Sequence, residues 1–223
     1  LFAYLASRWG KPIAEDHIIE AFWPKDNTKN KNNLYWGTTT LRGALRTLNP
    51  HFETALVRVH DTLSLHPEFP RWHDLEEFEK AATEGLRLES AGDIDTALGH
   101  LRLAGRVYRG PYLEGCYYDF ALEVREKMET TALEVYLKAA QLSLRKSEDE
   151  EAAEHARSAV ELAPYRQDAH ALQMRALIRL NRGTQVIELF HKLEKNLRLE
   201  YELEPTTELL ELYHRARLGY TDA

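Results

Sequence analysis

The stretch 32-NNLYWGTTTLRGALRTL-48 reads as an amphipathic helix. Leu34, Leu41, Leu45 and Leu48 fall on one face through spacings of seven, four and three, with Thr38 in the same stripe. A helix is predicted before it over Ala14–Phe22, where Ile18 and Phe22 are four apart, as are Ile19 and Trp23. Pro24 ends that helix because proline cannot continue the hydrogen-bond ladder. Helix, Trp-Pro stop, polar loop and helix is the order of a helix-turn-helix unit. The outward face of the second helix carries Tyr35, Trp36, Thr39, Thr40, Arg42, Gly43 and Arg46. Aromatics, hydroxyls and guanidiniums together suit a helix laid into a groove of DNA. The alternative is that Tyr35 and Trp36 pack under a neighbouring loop, since amphipathic helix pairs are common.

Working outward, Asn49-Pro50 breaks the helical pattern. Leu56-Val57-Arg58-Val59 and Leu63-Ser64-Leu65 are short β-prone runs around His60-Asp61-Thr62, which predicts a hairpin. A hairpin directly behind a recognition helix is a wing, and Arg58 and His60 near its tip are candidates for phosphate or minor-groove contact. For His60 the other reading is a solvated turn residue. His51, His66 and His73 lack the paired spacing of a metal site and read as surface residues. Upstream, Leu1–Arg8 reads as helix, and a sequence that opens on Leu1 rather than methionine is expected to be a fragment with its native beginning upstream.

From Asp74 onward the chain reads as helical nearly throughout, with breaks at Gly92-Asp93, Gly110-Pro111, Gly115, Pro164, Gly183 and Pro205. It contains an internal repeat. Ala152, Ala156 and Ala159 recur 34 residues later as Val186, Phe190 and Leu193, and a weaker copy stands at Ala97, Leu101 and Ala104. Offsets of zero, four and seven at that period are the second-helix pattern of a tetratricopeptide-like unit, in which small residues let helices approach and each pair buries its remaining apolar face on the next. The interval from Ala97 to Ala152 is 55 residues, so the array is interrupted, and Gly110–Phe120 with the start of the following helix fills the gap. Tyr112, Tyr117, Tyr118 and Phe120 in that segment either face a partner or pack against adjacent helices.

The 223 residues allow two modest domains, and an apolar content of 43% is that of an ordinary globular chain. No apolar run is long enough to cross a bilayer and none has the form of a signal peptide, so no membrane partner is expected. A lone Cys116 cannot form an internal disulfide, which agrees with a cytoplasmic location. The net charge of −7 is unevenly divided. Through Trp72 there are nine Lys/Arg against seven Asp/Glu, and the remainder holds 20 against 29. An acidic regulatory part joined to a weakly basic DNA-facing part fits that asymmetry, because phosphate neutralisation supplies most non-specific DNA affinity.

In order along nearly the whole chain stand Leu1–Leu5, Gly10-Lys11-Pro12, Ile18, Phe22-Trp23-Pro24, Asn32-Asn33-Leu34, Leu41-Arg42, Ala44-Leu45, His73-Asp74-Leu75 and Phe78-Glu79. They are followed by Tyr108-Arg109-Gly110-Pro111-Tyr112-Leu113, Arg125, Ala169-His170, Met174, Leu203–Leu209 and Leu212-Tyr213. This succession resembles the bacterial transcriptional activator family of the antibiotic-regulatory type, in which an OmpR-like winged helix precedes a bacterial transcriptional activation domain. The resemblance implies a mainly α fold. Residues 1–72 would be a winged helix-turn-helix lacking its N-terminal strands, with a small β-hairpin wing, and residues 73–223 a tetratricopeptide-like helical array. It implies a helix Asn33–Leu48 in the major groove, a hairpin near Arg58 on the flanking backbone, and a loop Lys25–Asn32 matching the turn that can face RNA polymerase. Carried over by position, Asn33, Tyr35, Trp36, Thr39, Thr40, Arg42, Gly43 and Arg46 form the groove set, with Lys29 and Lys31 beside phosphates. Relatives usually carry arginine near Tyr35, Thr40 and Gly43 and a large apolar residue near Thr38. Their absence removes bidentate forks that read guanine.

The expected function is DNA-binding transcriptional regulation, as an activator. Its partners would be double-stranded DNA, RNA polymerase and side-by-side copies of itself on direct repeats, and it would need no cofactor or metal. The alternative is a scaffold or adaptor whose winged helix no longer binds DNA. Catalysis is not expected, since the sequence has no GxxxxGK[ST] loop, HExxH pair or GxSxG elbow. Acidic pairs such as Glu150-Glu151 read as solvated helix faces.

Overall fold

A computed structural model describes residues 1–24, 30–69 and 73–219. The chain forms two compact units, Leu1–Trp72 with Tyr112–Glu126, and His73–Pro111 with Lys127–Ala223. In the first lie α1 (Phe2–Ala6), β1 (Ile13–Ala14), α2 (Glu15–Phe22), α3 (Asn30–Leu48), a 3-10 turn (Pro50–Ala55), β2 (Leu56–Val59) and β3 (Thr62–Leu65). Asn49 caps the 3-10 turn by accepting a hydrogen bond from the His51 amide, and Pro50 starts it.

The hairpin expected from the two β-prone runs is present, with Leu56 opposite Leu65 and Val59 opposite Thr62. It carries a third strand that local pattern did not predict. Ile13 pairs with Leu63 and Ala14 with Thr62, giving an antiparallel sheet ordered β1-β3-β2. Two residues hold no readable alternation; only the pairing across some fifty residues makes them a strand. Leu5, Ile18, Leu34, Leu63 and Leu65 close the core of this small winged helix.

Residues 112–126 complete that core. Phe120 is buried and meets Tyr4 edge-on at 4.9 Å between ring centroids, and Tyr118 lies 4.8 Å from Phe22. Of the four aromatics left open by sequence, Phe120 therefore packs, Tyr118 touches the core rings while 46% exposed, Tyr112 is half-buried and Tyr117 is 81% exposed.

The second unit holds α4 (Asp74–Ala91), α5 (Ile94–Val107), most of α6 (Asp119–Arg145), α7 (Asp149–Leu162), α8 (Gln167–Arg179), α9 (Gly183–Glu200) and α10 (Thr207–Leu218). The internal repeat is structural. Ala97, Leu101 and Ala104 on α5, Ala152, Ala156 and Ala159 on α7, and Val186, Phe190 and Leu193 on α9 are all buried. The left-handed corners before these helices keep the same offsets, at Gly92, Ser147 and Asn181. Close approach is enforced where α4 meets α5: a Cβ on Gly85 would stand 2.8 Å from a Leu101 methyl and 3.1 Å from its backbone nitrogen. The Tyr136 hydroxyl of α6 donates to the Gly105 carbonyl of α5 at 3.1 Å, tying these helices where a glycine leaves room for the ring.

In this unit His170 is buried and His155 half-buried. Burial pushes the His170 imidazole below its ordinary value, against the Pro164 carbonyl 3.0 Å from Nε2, and Lys192 adds to the depression. Burial likewise lowers His155. A depressed histidine is neutral in the folded state and takes up its proton on unfolding, so its stability contribution is full above the unfolded value of about 6.5 and is lost as pH falls below it. The melting temperature is expected to drop between pH 7 and pH 5, and His170→Gln, which keeps a donor for the Pro164 carbonyl, should flatten that slope. An unchanged slope would assign the acid sensitivity to other groups.

Candidate nucleic-acid interface

The pair α2 and α3 is fixed from both ends. The Asn30 side chain, buried at the start of α3, donates from Nδ2 to the Trp23 carbonyl at the end of α2 at 3.1 Å. The α2 N-terminus is tied to the wing, since the Glu15 amide donates to the Asp61 carbonyl at 2.9 Å. Leu34, Thr38 and Leu45 form the inner stripe of α3. Thr38 stands where an apolar residue would pack, and its hydroxyl is satisfied by donating to the Tyr35 carbonyl at 2.9 Å. Leu48, expected in the same stripe, is 78% exposed, because the helix outruns the core at its last turn.

The outer face is open. Tyr35 is 65% and Trp36 72% exposed, so neither is packed under a loop. Lys31, Thr39, Thr40, Gly43 and Arg46 are exposed beside them, with Asn33 and Arg42 half-buried. Not every polar group there is available as a donor. The Thr39 hydroxyl donates back to the Tyr35 carbonyl at 2.9 Å, which leaves its lone pairs but spends its one proton within the helix. A Cβ on Gly43 would meet nothing within 4 Å, so that position is open space on the helix surface. Lys29, placed by sequence among the phosphate neighbours, lies outside the described residues.

The wing candidates behave differently from α3. The Arg58 Nη2 lies 2.7 Å from Oε1 and 2.9 Å from Oε2 of Glu15, a carboxylate that is almost wholly buried. Arg58 thus already neutralises a buried acid at the start of α2, though its side chain remains 42% exposed. Forty-three residues separate the partners, so no local motif reveals the pair. His60 sits at the hairpin tip with φ of 51°, exposed, in the left-handed conformation the turn requires. The cations of this surface with no carboxylate on them among the described residues are then Lys31, Arg42 and Arg46 on a single helix.

A second structural device was missed by sequence reasoning. The Arg125 guanidinium donates to the carbonyls of Tyr112 at 3.0 Å, Leu113 at 2.7 Å and Cys116 at 3.1 Å. It holds the 112–118 loop closed beside the winged-helix core. A lone arginine on a helix carries no sequence signal for such a role, which depends on three inward carbonyls. Among the described residues no group of three or more His, Cys, Asp or Glu is placed to hold a metal, and no helix is long and apolar enough to cross a membrane.

Comparison with known proteins adds three findings. Residues 73–217 match the family described as bacterial transcriptional activator domain. Over 147 residues the chain is 33% identical to the regulatory protein DnrI of Streptomyces peucetius, an alignment covering 63% of this chain and 52% of DnrI. Among solved structures, EmbR of Mycobacterium tuberculosis, in complex with a low-affinity phosphopeptide, aligns with a TM-score of 0.71 at 19% identity. That alignment covers 100% of this chain and 59% of EmbR, and at such identity it speaks to the fold alone. The chain spans between half and three-fifths of the length of these proteins.

Proposed function

The chain belongs to the bacterial transcriptional activator domain family, and on that premise we propose that it is a DNA-binding transcriptional regulator, an activator, whose helical array engages other proteins. The observation that carries this reading is the division of α3 into two faces. Its inner stripe is seated on the winged-helix core, while its outer face holds Tyr35, Trp36, Thr40 and Arg46 in the open, with Arg42 half-buried beside them. A helix so presented from a helix-turn-helix can lie in the major groove, with the two guanidiniums on phosphates or guanine edges. The Arg58 wing then touches flanking backbone as a positioned pair with Glu15 rather than as a free cation. RNA polymerase and neighbouring copies on direct repeats are the partners this reading assigns, and no covalent chemistry is part of it.

The test is fluorescence anisotropy of the chain on DNA from its own upstream region and on scrambled DNA at two salt concentrations. Three cations on α3 give a modest phosphate contribution, with log K expected to fall against log salt at a slope of about −3. Arg42→Ala and Arg46→Ala together should weaken binding at least about tenfold with the melting temperature nearly unchanged, because neither arginine holds an ion pair among the described residues. Gly43→Arg fills open space with a guanidinium and should tighten binding. A large loss of stability in the double arginine variant would instead give these side chains a structural role.

A second reading follows from the same helix. Trp36 and Tyr35 are large aromatics on a face with few cations, a composition that also suits docking to a protein. Salt-insensitive association and no DNA binding by a cooperatively melting chain would select that adaptor role.

A further inference from the structure

We infer that α3 is specific for thymine, with the Trp36 indole laid on the C5-methyl group in the major groove and the cations of the helix spent on phosphates. The inference rests on the DNA-binding reading and names the base that this reading leaves open. At about 3.6 residues per turn, the line opposite the inner stripe of Leu34, Thr38 and Leu45 runs through Trp36, Thr39 and Gly43. Lys31, Arg42 and Arg46 fall together on one flank of that line, Arg42 far enough round to be half-buried. A row of cations on one flank suits the phosphates along one wall of the groove, while the crest of the helix meets the base edges. Charge favours that partner here, since the residues through Trp72 hold nine Lys/Arg against seven Asp/Glu in a chain of net charge −7.

The crest carries no guanidinium, and its hydroxyls are short of protons. Thr39 donates to the Tyr35 carbonyl and Thr47 to the Gly43 carbonyl, each at 2.9 Å. Gly43 adds only open space. Guanine presents two acceptors, N7 and O6, which call for the paired donors that this line lacks. Thymine presents a methyl group with one acceptor, O4, beside it, and its partner adenine presents an amino donor in the same groove. An indole matches that edge, with a large apolar face and one N–H donor. Trp36 is 72% exposed, so the face is free to meet it. Thr39, left with lone pairs alone, can accept from the adenine amino group.

The experiment uses the whole chain and a fluorescein-labelled duplex that it enriches from a randomised pool, prepared once with thymine and once with deoxyuracil in every thymine position. Uracil keeps O4 and the phosphates and loses only the methyl group. Uracil duplex is expected to bind about three- to tenfold more weakly, the scale of a buried methyl group or two. Trp36→Ala should weaken the thymine duplex by a similar factor and leave the uracil duplex within about twofold, because the indole and the methyl lose the same contact. Arg46→Gln should weaken both duplexes equally and reduce the salt slope by about 1. Both side chains are exposed, so the melting temperature of each variant should stay unchanged. Equal affinity for the two duplexes, or an enriched site without thymine, would overturn the thymine reading and leave the regulator reading standing. A thymine-to-uracil ratio that survives Trp36→Ala would take the methyl contact away from this residue. No DNA binding by a chain that melts cooperatively would end both readings together.

Discussion

Phe190→Ala is expected to lower the unfolding free energy of the helical array by about 3–5 kcal/mol, the usual cost of deleting a fully packed aromatic side chain. Phe190 is 2% exposed, lies among Val186, Leu193, Leu197, Leu209 and Leu212, and stacks on Tyr213 with centroids 4.4 Å apart. Thirty-four residues earlier, the same place in the repeat is held by Ala156, which is fully buried. There a small side chain lets neighbouring helices approach; at position 190 the ring fills the space between α9 and α10. Truncation leaves a void lined by leucines that cannot collapse without moving α10, whose Ala216 carbonyl stands only 3.3 Å from a Cβ placed on Gly183. Urea titration followed by far-ultraviolet circular dichroism measures the change. A loss below about 1 kcal/mol would mean that α10 repacks freely and does not close the array as described.

Arg125→Ala is the second large effect, expected at about 2–4 kcal/mol and confined to the winged-helix unit. The side chain satisfies three backbone carbonyls at once, and bonds from a charged donor are worth more than neutral ones. The loop it holds is conformationally demanding, with Leu113 at φ 46° and Gly115 at φ 79°. Such a loop persists only where its surroundings over-determine it. Without the guanidinium the loop should open, loosening Leu113 and Cys116 from the core that they flank. Arg125→Lys should rescue little, because a single ammonium on a flexible stem cannot reach three carbonyls in one plane. Hydrogen exchange of the 112–121 amides, read beside thermal melts, checks the claim; unchanged protection in the alanine variant would show that the aromatic contacts of Tyr118 and Phe120 hold the segment by themselves.

Both predictions concern residues whose roles were unequally legible. The place of Phe190 could be read from the sequence, because the 34-residue period aligned it with Ala156. The role of Arg125 could not, because nothing local distinguishes a clamp from a solvated arginine. The candidate DNA surface shows the same contrast. The open face of α3 followed from helical periodicity, and Tyr35, Trp36 and Arg46 are exposed where that period puts them. Arg58 stood equally plainly at the wing, yet its partnership with Glu15 appears only when the hairpin folds back against α2. Leu48 marks the limit of periodicity itself, which states the face of a helix but not where the core beneath it ends.

The sequence alone determined the helix-turn-helix order, the hairpin behind it and the repeat of the array, since each is written in spacings of a few residues or in one fixed period. Tertiary structure decided the third strand at Ile13–Ala14, the return of residues 112–126 to the first unit and the Glu15–Arg58 pair. These depend on residues far apart in the chain being brought within a few ångströms, and the free energy that does so comes from burial and pairing that no local window contains.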